Sequence, residues 1–581
     1  MASIFNSVKI NTQRKNKNDL SFASRLTTEF GRITPFLVQE VLPNDTFKIK
    51  SVFRCQFAPM KFPVMQRFNM FVYFDFVPRR LIQDDWEEFI TRGEDGVTEI
   101  PYPEVALTHT LLRDMEADED ETNFMNPSSL LDYLGFPTLG AGATPSDVWT
   151  PLDEEDLTQC KTIDIMPFKA YQLLYNECFR DETLSQEVNL HTDASGIQNY
   201  TVSNKDILEL FKLRNKAWRK DYFTSALPDP QRGPDVTLPL LGGDVSITSD
   251  SDLSVESDQI AQRGTQLDRS YNMQMHSSGG SRTFVSTEGD GDDFPDDADV
   301  KIKGKLARTE AEKLRLNLGS DGIRSATINE VRRAFAIQRW YELAARAGNR
   351  YIEQILAHFG IRSSDARLQR PEFLGGGVIP VNVGDILQTS ESRSNGTPLG
   401  TPAGIAQAAG VIRLKKRKFT FEEHGYIIGT LCVVPEASYM QGMPRKYLRR
   451  STFDFAWPLL ANIGEQEIKK GELYWDWERD DTENMSGFGY TPRYAEYKFA
   501  HGEAHGDFRS SLLDFHDIRF FNNRPLLNQE FLEVRVDDRN PDTGLNRIFA
   551  VQQSSMADHL WISLYCDVKA RRVLPKYGTP V

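Results

Sequence analysis

Two histidines four residues apart, with a carboxylate between them, come closer to a metal site than any other spacing in this sequence. His501 and His505 flank Glu503 in the stretch HGEAH. The zinc-protease pattern needs the glutamate directly after the first histidine, and both histidines on one helix. Gly502 and Gly506 make a helix unfavourable at this point. The spacing therefore favours a loop over a zinc centre.

Two further stretches have side chains or glycines suited to a ligand, and both depart from the pattern that the ligand needs. The acidic run EGDGDDFPDDAD, residues 288–299, offers oxygen ligands for calcium, but Pro295 and the spacing break the EF-hand loop. LGGGV follows Pro371 rather than a strand and lacks the lysine and hydroxyl of a phosphate loop. No GxSxG and no Cys/His pair is marked in the sequence. We expect no enzyme, no metal and no cofactor.

Basic residues cluster at both ends of a chain whose formal net charge is −15. Cationic tails of polar composition are either phosphate-seeking arms or solvated, solubilising termini. Two internal runs, LKKRKF and PRKYLRR, add to the basic clusters. We predict that the terminal clusters contact DNA. The residues of this prediction are Lys9, Arg14, Lys15, Lys17, Arg25, Lys569, Arg571 and Arg572.

Composition narrows the class of protein. The 581 residues include 11% aromatics and 29 prolines, which fits many short strands joined by long loops. No apolar run approaches the roughly 18 residues that span a bilayer, and the N-terminus lacks the apolar segment and cleavage site of a secretory signal. The five cysteines are scattered and odd in number, which predicts reduced thiols and folding in a cytoplasm.

A strand with two apolar faces begins at Phe68. Residues 68–76 alternate between a face of Phe and aliphatic side chains and a second face that also carries Phe71 and Tyr73. A strand that is apolar on both faces is expected to be covered on both, by a second sheet on one side and by a helix or a neighbour on the other. Pro78 then predicts the start of a short acidic helix that ends near Gly93.

Other segments repeat these two periodicities. Residues 35–60 predict strand, turn and strand, residues 166–182 predict a helix, and Thr327 with Glu330 forms a capping box that begins another helix. Further strands are predicted at YIIGTLCVV, EFLEVRV, NRIFAVQ and HLWISLYCDVKA. The pattern is that of an all-β protein with helical and irregular insertions.

Four blocks carry a resemblance to a known family: FVYFDFVPRRLIQDDWEEFITRG, RAGNRYIEQILAHFGIRSSDARLQRPEFLGGG, SYMQGMPRKYLRRSTFDFAWPLLANIGEQ and FGYTPRYAEYK. They resemble, in the same chain order, the signature blocks of the Microviridae major capsid protein, especially its gokushovirus-like branch of single-stranded DNA bacteriophages. The resemblance implies a viral jelly roll, an eight-stranded antiparallel β-sandwich with large loop and helical insertions. It also implies a T=1 icosahedral shell around a circular single-stranded DNA genome.

The same resemblance implies partners and a domain plan. The partners are copies of the chain, the DNA genome, an internal scaffolding protein, a DNA pilot protein and a receptor on the host cell surface, with no membrane insertion. Assembly takes place in the bacterial cytoplasm and the product is the virion. We expect a basic interior arm over residues 1–30, the first part of the jelly roll over 31–228, a variable surface insertion over 229–325 that projects at the three-fold axes, and the second part, with a basic C-terminal tail, over 326–581.

Subunit contacts are predicted at three residues. Arg367 and Arg370 can fork onto carboxylates, and the glycines that follow permit close backbone approach. Either this segment lies at a subunit boundary, or it is an internal brace between two sheets. Trp86, on the acidic helix, either contributes to a subunit contact or packs on its own core.

Two functions from other classes remain as alternatives. A carbohydrate-binding β-sandwich or adhesin would explain the aromatic strands, but it predicts a secretion signal. A single-stranded DNA-binding protein would use aromatic stacking platforms, but it predicts a small chain with a basic groove.

Overall fold

The structure is a computed structural model, and it describes part of the chain. The described residues are 15–92, 98–108, 111, 127–138, 162–193, 196–198, 206–231, 233, 328–347, 369–387, 402–478, 481–536, 544–550 and 558–574, with the backbone of 261–262, 265–266, 273–278 and 281–286.

Strands dominate these residues. They are β1 Asn16–Asp19, β2 Phe22–Thr28, β3 Thr34–Val41, β4 Thr46–Phe57, β5 Phe68–Pro78, β6 Glu104–Ala106, β7 Thr162–Asp164, β8 Ile197–Gln198, β9 Ala261–Gln262, β10 Thr265–Gln266, β11 Met273–Ser278, β12 Ser281–Ser286, β13 Glu372–Leu387, β14 Pro402–Arg413, β15 Phe419–Thr420, β16 Gly425–Pro435, β17 Ser438–Tyr439, β18 Glu465–Lys469, β19 Gly487–Pro492, β20 Gly502–Glu503 and β21 Leu560–Arg572.

Most helices are short. They are α1 Trp86–Thr91, α2 Leu130–Tyr133, α3 Met166–Leu174, α4 Asp206–Phe211, α5 Ile328–Ala347, α6 Lys470–Leu473, α7 Asp481–Asn484 and α8 Gln529–Leu532. A π-helical turn, Tyr175–Phe179, continues α3. Single 3-10 turns lie at Arg79–Leu81, Arg445–Tyr447, Thr452–Asp454, Pro458–Asn462, Ala495–Tyr497, Gly506–Arg509, Leu513–Phe515 and Leu545–Ile548.

The order of the eight principal strands is that of a jelly roll. One half of the sheet runs β2, β21, β4, β14, and the other runs β13, β5, β16, β3, with every neighbouring pair antiparallel. Numbered along the chain, these strands are first, eighth, third, sixth and then fifth, fourth, seventh, second. Two interleaved Greek keys produce this order. The all-β jelly roll predicted from the sequence is confirmed.

Strand β13 belongs to both halves. Its residues from Glu372 to Val381 pair with β5, and those from Asn382 to Leu387 pair with β14. A β-bulge lies between Phe373 and Gly375, where the strand bends. Backbones approach closely here, since a Cβ on Gly375 would lie 2.4 Å from the backbone nitrogen of Lys415. The close backbone approach that these glycines permit is thus made within the subunit, at least at Gly375.

Aromatic rings fill the space between the two halves. Strand β4 alternates buried and outward side chains, with Phe47, Phe53 and Phe57 pointing inward. They meet rings from the other half: the Phe53 centroid is 5.2 Å from that of Phe36, and the Phe57 centroid is 5.4 Å from that of Phe68. Burial of large aromatic rings supplies much of the stability of such a core.

The outer face of the second half is covered by insertions. Every residue of β16 is buried, and its Tyr426 and Ile428 share a hydrophobic cluster with α3. All nine residues of α3 are buried, and the Tyr171 hydroxyl donates to the backbone oxygen of Ile33 at 2.8 Å. On β5, the Tyr73 ring meets that of Phe179 with centroids 5.3 Å apart. The sequence prediction that β5 is covered on both faces is confirmed.

The chain divides into two compact units. One comprises residues 1–233 and 341–581 and contains all eight jelly-roll strands, and the other is Pro234–Trp340. The second unit overlaps the insertion predicted over residues 229–325. Its described strands are the hairpins β9–β10 and β11–β12.

Several local predictions are confirmed, and two are wrong. The strand–turn–strand of β3 and β4, the helix α3, and the strands β16 and β21 lie where the sequence places them. EFLEVRV is wrong as a strand: Asn528 caps a helical turn by accepting from the Phe531 amide at 2.9 Å, and this local bond outweighs the strand propensity of the segment. NRIFAVQ is wrong where described, because Leu545–Ile548 forms a 3-10 turn.

Candidate nucleic-acid interface and subunit contacts

The outer face of the half-sheet β2–β21–β4–β14 is open to solvent, unlike that of its partner half. On β4 the outward side chains are Lys48, Lys50, Val52 and Arg54, because alternate residues of a strand point to one face. On β21 the outward positions run from Trp561 to Arg571. We call this surface the open face.

Strand pairing brings basic residues from five strands together on the open face. Its cations are Lys17 on β1, Arg25 on β2, Lys48, Lys50 and Arg54 on β4, Arg413 on β14, and Lys569 and Arg571 on β21. Only Asp19 and Asp567 oppose these eight cations among the described side chains of these strands on that face. The surface is strongly basic on a chain of net charge −15.

Three of the cross-strand pairs on the open face are like-charged. Lys17 lies opposite Arg571, Lys48 opposite Lys569, and Lys50 opposite Arg413. Like charges directly opposite each other on a sheet are destabilising. In the described part of the chain, Lys17, Arg571, Lys48, Lys50 and Arg413 make no ion pair, although Lys50 also lies opposite Asp567 on β21.

The two carboxylates of the open face both lie near Lys569. The Lys569 ammonium donates to Asp19 at 2.5 Å and lies 3.4 Å from Asp567. The hydrogen bond from Lys569 lowers the pKa of Asp19 to about 2, and the same bond raises the pKa of Lys569. One cation is thereby neutralised and the rest of the face stays positive.

A basic loop extends the open face at one end. Lys415, Lys416, Arg417 and Lys418, from the LKKRKF run, are all exposed between β14 and β15. Strand β15 pairs with the start of β4, so the loop lies at the same end of the sheet as Lys48. The sequence showed this run as basic, but the predicted DNA contact did not include it.

Aromatic side chains and a cleft lie at the other end of the face. Trp561 and Tyr565 are both more than two-fifths exposed on β21. Trp561, Arg25 and Arg54 contribute to the lining of an open cleft of about 730 Å³. Exposed rings among cations are the side chains that stack bases and neutralise phosphates.

The residues predicted to contact DNA divide into four groups. Lys17, Arg25, Lys569 and Arg571 lie together on the open face. Lys15 donates to the Thr46 hydroxyl at 3.3 Å, beside that face. Arg572 lies on the other side of its strand, where it forms an ion pair with Asp45 at 3.0 Å. Lys9 and Arg14 are outside the described residues.

Four cations of the open face, Lys48, Lys50, Arg54 and Arg413, were missed in the sequence as contact residues. The first three are spaced two and four residues apart in a predicted strand, which places them on one face. That spacing was a usable signal. The position of Arg413 beside Lys50 depends on strand pairing and has no counterpart in the local sequence.

The predicted subunit-contact residues occupy different surroundings. Trp86 is buried in its own subunit, with the Arg79 guanidinium 4.7 Å from its ring centre and the Phe89 ring 5.7 Å away. Arg370 is partly exposed directly before β13. Arg367 is outside the described residues. A subunit contact at these three positions stays a prediction.

The two histidines do not belong to a group of metal ligands among the described residues. His501 and His505 lie 3.7 and 3.3 Å from Glu503, and β20 begins between them at Gly502. No group of three His, Cys, Asp or Glu side chains in the described ranges could hold a metal ion. No helix within those ranges is long and apolar enough to cross a membrane.

Comparison with known proteins decides the family. The sequence model of the capsid protein (F protein) family matches residues 6–581. The chain belongs to this capsid protein family. It is 30% identical to capsid protein VP1 of Chlamydia phage 1, with 100% of this chain and 98% of that protein aligned. Capsid protein VP1 of Bdellovibrio phage phiMH2K is 30% identical over 97% of this chain and 95% of its own length, and that of Spiroplasma virus 4 is 29% identical over 95% and 92%.

Membership of the capsid family confirms the resemblance drawn from the sequence blocks. The chain is a major capsid protein of the Microviridae type, a structural component of the virion whose copies assemble into a capsid. The open face and the insertions on the opposite side are therefore surfaces of a shell subunit.

Proposed function

We propose that the open face of this capsid protein lines the interior of a T=1 shell and binds the phosphates of a circular single-stranded DNA genome. The observation that carries the proposal is the set of three like-charged pairs, Lys17–Arg571, Lys48–Lys569 and Lys50–Arg413. Such pairs cost stability in the free subunit, most of all Lys17–Arg571, since Lys569 is bound by Asp19 and Lys50 also lies opposite Asp567. A polyanion laid across the pairs removes that cost, because its phosphates neutralise both members.

Sequence-independent binding follows from the chemistry of these groups. Lysine and arginine contacts to phosphate release condensed counterions and carry no base specificity. Trp561 and Tyr565 add stacking surfaces that accept any base. A genome of any sequence can therefore be held against the same face of every copy.

The distribution of insertions supports the orientation. Helix α3 and the small sheet of β6, β7 and β8 cover the half of the jelly roll opposite to the open face. Insertions cover one side of the subunit, and the basic sheet on the other side is uncovered. This arrangement suits a shell wall with an outer and an inner surface. The arm of residues 1–30, of which β1 and β2 are described, then contributes its cations from inside.

The remaining partners belong to the same proposal. An internal scaffolding protein guides assembly in the bacterial cytoplasm, and a DNA pilot protein accompanies the genome. The insertion over residues 229–325 projects at the three-fold axes and contacts a receptor on the host surface. The chain performs no catalytic step, and it needs neither metal nor cofactor.

Binding of a fluorescent oligo-dT to the free subunit, titrated at several salt concentrations, tests the DNA contact. The variant Lys48→Gln/Arg54→Gln/Arg413→Gln should bind more weakly, and its log–log salt slope should fall by about 0.7 for each phosphate that the variant no longer binds. The control Lys446→Gln/Arg450→Gln/Lys498→Gln removes the same charge from another exposed surface and should keep the slope. Equal slopes for both triple variants would contradict the proposal. Shells of the first variant should also contain less DNA.

A further inference from the structure

A row of large apolar side chains stands in solvent on a part of the subunit distant in sequence from both the open face and the variable unit. Its members are between 45% and 89% exposed, with Leu459 the most exposed and Phe453 at 69%. We call this surface the aromatic ridge. It consists of Tyr447, Phe453, Phe455, Trp457, Leu459, Ile463, Tyr497 and Phe499.

The backbone under the ridge is held in a defined conformation. The Asp454 carboxylate accepts from the amides of Arg450 and Ser451, at 2.8 and 2.7 Å. The Trp457 indole donates to the backbone oxygen of Thr452 at 3.0 Å, and the Trp457 amide donates to the Tyr494 hydroxyl at 3.2 Å. These bonds fix the segment while its apolar side chains stay uncovered.

The ridge is continuous across two separate stretches of chain. The Arg449 guanidinium lies 5.4 Å from the ring centre of Phe455 and 4.5 Å from that of Tyr497. It is also 3.6 Å from Glu496, which holds it in place. Arg449 thus joins the segment around Phe455 to the turn that carries Tyr497.

The apolar area of the ridge is too large for a surface without a partner. Large apolar side chains such as aromatics offer about 150–250 Å² each, so eight side chains that are between 45% and 89% exposed present on the order of 800 Å². Monomeric proteins rarely expose apolar patches beyond a few hundred Å². A standard protein interface buries about 800 Å² on each partner, which equals the area of the ridge.

We infer that the aromatic ridge is covered by a second copy of this chain in the assembled shell. The inference rests on the proposed function only in requiring a closed shell. The family supports this occupant, because copies of a capsid protein assemble with one another. Lys446, Arg450 and Lys498 are exposed at the edge of the ridge and can pair with carboxylates of the neighbouring copy. Aromatic centres with arginine beside them are typical of the residues that carry most of the energy of an interface.

Hydroxyl-radical labelling of wild-type protein tests the inference directly. Phe453, Trp457 and Leu459 should be labelled in the free subunit and at least several-fold less in purified shells. Shells are prepared by expressing the chain with the other structural proteins of its phage, and again by expressing it alone. An unprotected ridge in closed shells would overturn the inference. Protection in shells that contain another structural protein, together with an unprotected ridge in closed shells of this chain alone, would overturn it too, since the occupant would then be that protein.

Matched substitutions give the second measurement. Phe453→Ser/Leu459→Ser should leave the subunit folded by circular dichroism, leave oligo-dT binding unchanged, and reduce the yield of closed shells at least tenfold. Met65→Ser/Trp477→Ser removes two equally exposed apolar side chains elsewhere and should retain shells. Equal yields from the two variants would overturn the inference. Wild-type protein that forms no shell would contradict the proposed shell itself, whereas wild-type protein that forms shells but does not bind oligo-dT would contradict the open-face proposal and leave the ridge intact.

Discussion

Phe36 on β3 meets Phe53 on β4 edge to face, with ring centroids 5.2 Å apart and ring planes at 90°. The two strands belong to opposite halves of the jelly roll, and β3 is the last strand of its half. Phe53 is fully buried. The contact therefore joins the halves through their shared interior rather than through strand pairing.

Removing the Phe53 ring should destabilise the subunit strongly. We expect Phe53→Ala to lower the free energy of unfolding by about 3–5 kcal/mol, because the deletion leaves a cavity between the two halves. The control is Val52→Ala, one residue away on the open face, which should cost about 1 kcal/mol or less. Urea unfolding of the free subunit measures both. Similar costs for the two variants would mean that the halves do not pack on each other at Phe53.

A methyl group at Gly376 should be poorly tolerated. Its carbon would lie 2.4 Å from the backbone oxygen of Val72 on β5, so the paired strands must move apart. We expect Gly376→Ala to cost at least about 1–3 kcal/mol, the usual cost of overpacking. Gly384→Ala, on the same strand, meets nothing closer than a methyl of Ile405 at 3.7 Å and should be neutral or slightly stabilising. Thermal unfolding of both variants tests whether β13 and β5 are as close as described.

The buried carboxyl of Asp75 should make stability fall as pH rises. Burial raises its pKa to about 8, so the native state keeps a proton that the unfolded state has lost above pH 4. The stability is fully present below pH 4 and is lost as pH rises towards 8. Relative to Asp75→Asn, the wild type should lose about 1.4 kcal/mol per pH unit between pH 5 and 7.

Urea titrations of the free subunit at pH 5, 6 and 7 measure this difference. Glu88→Gln, on the exposed side of α1, is the control for replacing a carboxylate by an amide at the surface. Parallel pH profiles for the wild type and Asp75→Asn would show that Asp75 is ionised in the folded subunit.

Residues 235–320 should be dispensable for folding of the jelly roll. All eight principal strands lie outside the unit Pro234–Trp340. Gly233 and Tyr341 lie close together, since a Cβ on Gly233 would be 3.0 Å from the Tyr341 ring, and closing a loop costs little extra as it lengthens. A Gly-Ser replacement should keep the far-ultraviolet spectrum of strands while adsorption to the host is lost. Loss of the folded subunit, or adsorption equal to wild type, would each argue against an external projection.

The parts of the fold that the sequence predicted are those set by local periodicity. Strands β5, β16 and β21 alternate or are apolar throughout, and the double coverage of β5 followed from Phe71 and Tyr73 on its second face. The failure at residues 530–536 has a local cause as well. The side chain of Asn528 accepts a hydrogen bond from a backbone amide at the start of a helical turn. A pattern of alternating hydrophobic residues does not reveal such a cap.

The open face was only partly predictable. The spacing of Lys48, Lys50 and Arg54 was visible in the sequence, and so was the basic C-terminus. Their convergence depends on a register that pairs β4 with β14 and β21, strands separated from it by several hundred residues. Most of the aromatic ridge lies within two of the family blocks, but exposure of its rings depends on tertiary structure, since apolar residues ordinarily predict a core.

Because β13 pairs with β5 over its first part and with β14 over its second, the two halves of the sheet are joined by continuous backbone at this edge. A push on the open face is transmitted as tension along one covalent backbone and as load on the hydrogen-bond ladders to β5 and β14. In a sandwich of two unconnected sheets, the same force would be resisted by side-chain packing alone. In the wall of a container built from such subunits, each subunit is therefore held together at this edge by covalent backbone as well as by packing.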